Sequence, residues 1–397
     1  MTMRRLTWFV PLLMMAVGAL GCESTTHEAS KQRAEDRYRE MRGRMMLPLA
    51  QDQFAAGDLD QAERTVNEAL RIDPKAAPFY VVAGQIAVER GRLEYGLRTF
   101  DQAIELGPKY APAHYQKGMV LQRWQQYDLA QQSYQTAYDL EPDRPSYLLA
   151  VAEMLDKQDR RADAMVLLES RLTYFTHNAG LRMALGQFHA GNGDGAKAAE
   201  YYREAMLLAP NDQRIVEELA LAELASGQAE QAIPRLERLL AADAYENRSD
   251  LRSVLGAAYI QVGRNADARS IFLRLTREDP ENRSAWSQLG KVAWAEGDTA
   301  GALRAAGKII ALSPQSHEGY LLAGMVWQRR GRLDQALPML EKAAAYAPHD
   351  QTVLLMRGLS LQEAGDRQGA AQVYRQALEL KPDDARIQRL LAQVDTE

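Results

Sequence analysis

The sequence predicts an all-α chain, a solenoid of stacked helix pairs, on three observations. A block of residues recurs ten times between Gly43 and Asp384 with a 34-residue period. Two places in every block hold only Gly or Ala. Gly near the middle and Pro near the end punctuate most copies. One block is two short helices that cannot bury their own apolar face, so it is stable only beside another copy.

Residues 1–21, MTMRRLTWFVPLLMMAVGALG, have the shape of a secretory signal: Arg4 and Arg5, then an apolar run from Leu6 to Leu20, then small residues. The run is shorter than the ~20 residues a bilayer span needs, and Pro11 interrupts it. Ala19-Leu20-Gly21-Cys22 resembles the lipobox of bacterial lipoproteins, with Ala19 where that family favours Leu. The resemblance implies cleavage before Cys22 and acylation of its thiol. Cys22 is the only cysteine, so no intramolecular disulfide exists. Each buried CH₂ of an acyl chain contributes ~0.8 kcal/mol, so several chains anchor firmly. Glu23 is not the Asp that retains enterobacterial lipoproteins in the inner membrane, which implies a periplasm-facing place on the outer membrane of a bacterial envelope. Residues 22–42 are polar without an apolar stripe and read as a lipid-anchored tether, helical near Ala34 to Met41.

The blocks are residues 43–76, 77–110, 111–144, 145–178, 179–212, 213–246, 249–282, 283–316, 317–350 and 351–384. The eighth position is Ala50, Gly84, Gly118, Ala152, Gly186, Ala220, Gly256, Gly290, Gly324 and Gly358. The twentieth is Ala in every copy but one, from Ala62 to Ala370, with Gly96 the exception. Small side chains there let the two helices of a block approach closely. Gly at position 15 and Pro at position 32 each occur in eight of ten copies, one suiting the inter-helix turn and the other stopping the second helix.

Block 249–282 carries Leu255-Gly256, Tyr259, Gly263, Ala268, Phe272 and Pro280, with Arg252 where the next block has Trp286. This pattern resembles the tetratricopeptide repeat, and the likeness covers residues 43–384. It implies a right-handed α–α superhelical solenoid of about ten units. Residues 385–397 then form a terminal capping helix, with Ile387, Leu390, Leu391 and Val394 on one face. Pro48 is expected to delay or kink the first helix, and Pro234 and Pro338 to bend theirs mildly. Block 145–178 is the most degenerate, with Asp159, Arg171 and Thr176 at signature positions. Asn247-Arg248 are extra and Ala244 replaces Pro, which predicts a changed packing angle there.

In the tetratricopeptide family the first helix of each unit lines a concave groove through positions 2, 5, 9, 12 and 13. Carried onto this sequence, the groove is lined by Val81, Gln85, Tyr115, Met119, Gln122, Leu149, Glu153, Met183, Gln187, Trp294, Leu321, Met325, Leu355 and Leu359. Two apolar rows then flank a polar middle at Glu217, Ser253 and Ser287. Met and Tyr are adaptable contact residues, suited to a bound peptide or helix. Some of these side chains are equally able to pack against the neighbouring helix. Position 5 holds no Lys, which disfavours the family's carboxylate clamp for acidic chain ends.

The net charge of −5 favours neither nucleic acid nor an anionic surface as partner. No two of the six His stand at metal-binding helical spacing, the single Cys lies at the processing site, and Gly191 to Lys197 lacks phosphate-loop spacing. No cofactor, metal or catalytic group is expected. The reading is a non-enzymatic envelope scaffold that binds protein partners in its groove and meets the membrane through its lipid. Resemblance to bacterial tetratricopeptide lipoproteins implies pilus or secretin assembly, polysaccharide export, or docking of cell-wall enzymes. The rival is a polysaccharide-binding accessory subunit of an export or cell-wall machine, which needs aromatic platforms along the groove.

Overall fold

A computed structural model describes residues 22–395. The signal reading of residues 1–21 lies outside them. Among the described residues every regular element is a helix. The chain divides into two compact units, at Thr176 and His177.

The first unit holds four helical hairpins: α1 (Cys22–Ala55) with α2 (Leu59–Ile72), α3 (Ala77–Glu89) with α4 (Leu93–Leu106), α5 (Ala111–Arg123) with α6 (Tyr127–Leu140), and α7 (Pro145–Lys157) with α8 (Arg161–Glu169). Pro78, Pro112 and Pro145 open α3, α5 and α7, where a missing N–H costs nothing. The second unit continues with α9 (Ala179–Gly191), α10 (Gly195–Leu208), α11 (Gln213–Ala225), α12 (Ala229–Leu240), α13 (Ser249–Gln261), α14 (Asn265–Glu278), α15 (Arg283–Ala295), α16 (Thr299–Leu312), α17 (His317–Arg329), α18 (Leu333–Tyr346), α19 (Gln351–Glu363) and α20 (Arg367–Leu380). Helix α21 (Ala385–Asp395) ends the unit and buries Ile387 and Val394 against Tyr374 and Leu354.

The hairpins close on glycine. At Gly84, Gly118, Gly186, Gly256 and Gly358 an added Cβ would lie 2.4–2.6 Å from the aromatic ring sixteen residues on, respectively Phe100, Tyr134, Tyr202, Phe272 and Tyr374. Those rings are at most 1% exposed and form the centre of each hairpin's core. Burying one such ring contributes about 1.5–3 kcal/mol. The turns between paired helices use a left-handed residue, glycine in eight of them. Gln125 and Asp159 adopt the same conformation at φ 59°, so register dictates the turn even without glycine.

Two expectations change. Residues 22–42, expected to be helical near Ala34 to Met41, are helical throughout as the first part of the 34-residue helix α1. Their Glu, Lys, Arg and Ala are strong helix formers, and the packed end of α1 at Met46 and Ala50 extends its order towards the N-terminus. Helix α1 also runs through Pro48 and so does not start late, and Pro48 is exposed. An exposed apolar row, Tyr38, Met41, Met45 and Leu49, each at least half exposed, begins near the end of that segment and runs along one face of α1. In the degenerate block, α8 stops after nine residues, and turns carry the chain to Thr176.

The two extra residues Asn247-Arg248 follow a single 3-10 turn, Asp243–Tyr245. Arg252, standing where Trp is usual, is 6% exposed. Its guanidinium donates to Glu278 at 2.5 Å and to the Glu246 carbonyl, which ties the extended loop to α13 and α14. Helices α12 and α18 continue through Pro234 and Pro338.

Candidate interaction surface

The first helices of successive hairpins lie side by side within each unit, and polar rungs join them. In the first unit Gln122 Nε2 on α5 donates to Glu153 on α7 at 2.9 Å, while Tyr134 donates to the same Gln122 at 2.7 Å. In the second, Gln328 Nε2 on α17 donates to Glu363 on α19 at 3.0 Å. Arg248 joins α11 to α13 by pairing with Glu217 at 2.7 Å and Asp250 at 2.8 Å. Its bonds to Asp250 and then Glu217 hold the guanidinium above its ordinary pKa, and the same contact holds Asp250 below the usual carboxylate range. These rungs join α5 to α7, α11 to α13 and α17 to α19.

The groove residues read from the sequence divide on this surface. Gln85, Gln122 and Leu149 are half-buried, Glu153 is exposed, and Met119 is 37% exposed. Tyr115 is half-buried, its ring 5.3 Å from Tyr134 and 4.8 Å from Tyr147, and burial raises its pKa. Val81 is corrected to a core residue: it is 5% exposed and packs with Ala77, Phe100, Ala113 and Val120. The small Ala77 and Ala113 leave room for it to turn inward.

In the second unit Met183 is half-buried against Tyr202 and Leu219, and Gln187 is exposed. Leu321 rests on the core around Tyr320 and Val353, and Leu355 on the core around Tyr374. Trp294 is no open anchor: the Arg329 guanidinium lies 3.3 Å from its ring centre, and Arg329 also donates to its carbonyl at 2.7 Å. Met325 and Leu359 are half-buried at equivalent positions of adjacent α17 and α19.

Reading positions alone missed Arg248, Arg329 and Glu363, which shape the surface from one period away. It also missed Glu223 on α11, a fully buried carboxylate that accepts from Arg235 at 2.9 and 3.2 Å and from Arg203 at 3.4 Å. Glu223 is satisfied by cations on the flanking helices α12 and α10 and serves packing. Among the described residues no three His, Cys, Asp or Glu side chains are grouped to hold a metal. No described helix is long and apolar enough to cross a membrane. The surface offers contact: adaptable apolar side chains between ordered polar rungs.

Sequence models described as tetratricopeptide repeat match residues 47–111, 99–132, 179–212, 223–291, 284–308 and 328–394. No curated protein matches the sequence. Among solved structures the chain is similar to yeast Tom70, at 16% identity and TM-score 0.44 over 91% of this chain and 88% of that one. It is similar to pilF of Pseudomonas aeruginosa at 15% identity and TM-score 0.46, over 53% of this chain and 98% of that one. A third likeness is the C-terminal part of a TPR repeat-containing protein from Cytophaga hutchinsonii, at 16% identity and TM-score 0.47, over 60% of this chain and 98% of that one. The chain belongs to the tetratricopeptide repeat proteins, a fold that serves as a scaffold for protein–protein interaction.

Proposed function

We propose that this protein is a non-enzymatic adaptor of a bacterial cell envelope, held by lipid on Cys22 to the outer membrane and facing the periplasm. Its first-helix surfaces grip a helix or extended segment of a protein partner in an envelope assembly, with pilus, secretion and polysaccharide-export machines the settings that fit. The observation that carries the reading is the pair Met325 and Leu359. They stand half-open at equivalent places on adjacent helices, with the Gln328–Glu363 rung beside them. A row of this kind receives the apolar side of an amphipathic segment, and many shallow contacts sum to useful affinity without a deep pocket. The polysaccharide alternative draws less support, because Tyr115 is tucked between two other tyrosines and Trp294 lies under Arg329.

The test is a pull-down with the detergent-extracted full chain, wild type against a Met325→Glu, Leu359→Glu double variant, alongside a glycan array. The reading expects a stoichiometric protein that the variant loses. Saturable glycan binding without a protein partner would overturn it.

A further inference from the structure

A recess lies in the second unit, between the second helices α14 and α16 and over α15. It encloses about 500 Å³, within the range of cavities that take specific ligands. Leu273, Trp286 and Leu289 supply an apolar lining, and Arg304 and Lys308 stand on the α16 wall. Trp286 is held in place by its Nε1–H, which donates to the Pro280 carbonyl at 2.9 Å.

Gly307 stands on the α16 wall of the recess. At the equivalent place in the other second helices of this unit stand Arg203, Glu237, Leu273, Glu341 and Arg375. A Cβ on Gly307 would meet nothing within 4 Å, so close packing does not require the glycine. Glycine inside a helix is unfavourable, and at Gly307 it leaves that part of the recess wall bare.

The charge of the recess opposes that of the chain. The net charge of the protein is −5, yet the recess is lined by three cations, Arg269, Arg304 and Lys308, and one carboxylate, Asp298. Asp298 is already occupied: it caps α16 by accepting from the Gly301 amide at 2.8 Å and pairs with Arg269 at 2.9 Å. Arg269 also pairs with Glu296 at 3.1 Å. The Gly301 amide, then the Arg269 and Arg304 charges, hold the Asp298 carboxyl below its ordinary range. Among the described residues Arg304 and Lys308 make no ion pair of their own.

We infer that this recess is a second binding site, one that takes an acidic peptide segment by seating a large apolar side chain on Trp286 and Leu273 and a neighbouring carboxylate on Arg304 and Lys308. It opens between second helices with Trp286 of α15 as its floor and shares no residue with Met325 and Leu359, so it stands independently of the adaptor surface proposed above.

The experiment is fluorescence anisotropy with the full chain and three fluorescein-labelled decapeptides, made of glutamate and leucine, glutamate and serine, and lysine and leucine. The glutamate–leucine peptide saturates, and the other two bind at least tenfold more weakly. Gly307→Trp, which fills the recess, and an Arg304→Glu, Lys308→Glu pair of exposed changes each weaken it at least tenfold. Glu379→Gln, an exposed change on α20, leaves it unchanged. Absence of saturation, equal binding of the glutamate–serine peptide, or indifference to both recess variants overturns the site. None of these outcomes bears on Met325 and Leu359.

Discussion

Changing Gly256 to Ala and changing Gly307 to Ala are the same chemical step in two helix interiors, and the structure gives them opposite signs. Each gains about 0.8–1 kcal/mol of helix propensity. At Gly307 nothing opposes the gain, because the new methyl group meets open space. At Gly256 the new Cβ would sit 2.6 Å from Cζ of Phe272, a ring that is 0% exposed and has no room to retreat. Overpacking of that kind costs about 1–3 kcal/mol. Gly307→Ala therefore stabilises by about 0.8–1 kcal/mol, and Gly256→Ala ranges from about neutral to 2 kcal/mol destabilising. Their difference, about 1–3 kcal/mol, is the packing term alone. Urea unfolding of the full chain with each variant measures it, provided the slopes agree. Equal midpoints for the two variants would refute the claim that glycine closes each hairpin onto its ring.

Three further outcomes follow from the same geometry. Glu223→Ala leaves Arg203 and Arg235 without their shared carboxylate; because both arginines reach solvent, the cost falls at the low end for a broken buried pair, about 3 kcal/mol, read by urea unfolding. Burial pushes the phenols of Tyr147, Tyr259 and Tyr374 up to about 12, from an ordinary value of 10. The unfolded chain releases these protons first, so their contribution is intact below pH 10 and is lost as pH rises from 10 to about 12. Helical circular dichroism in urea across that window checks the sign, and stability that rises there would contradict it. Cys22→Ser removes the proposed acylation site and moves the protein from membranes to the soluble fraction; a variant that still sediments with membranes would rule out the lipid anchor.

Much of the fold was legible because its constraints are local and repeated. Small residues at the eighth position mark where paired helices meet, and the helices begin at Ala77, Ala111, Pro145 and Ala179, where blocks begin. Helix α1 was read short because its first half buries little, so no apolar period marks it, although propensity alone favours a helix. The surface was harder to read. Val81, Tyr115 and Leu149 share one position, yet one is core and two are half-open. Their neighbours decide, and the neighbours belong to other blocks. Trp294 stands at an outward position and is covered by Arg329, thirty-five residues away. The recess beside Gly307 was visible only as one missing side chain in a column of long ones.

The central claim is that the first-helix surface carrying Met325 and Leu359 meets a protein partner. A photoreactive amino acid placed in turn at Met325, Leu359 and the exposed Glu341 of α18, followed by irradiation in cells, tests it directly. The account predicts one discrete, protease-sensitive adduct shared by positions 325 and 359 and absent from 341. No adduct at 325 and 359, or the same adduct from all three positions, would contradict it.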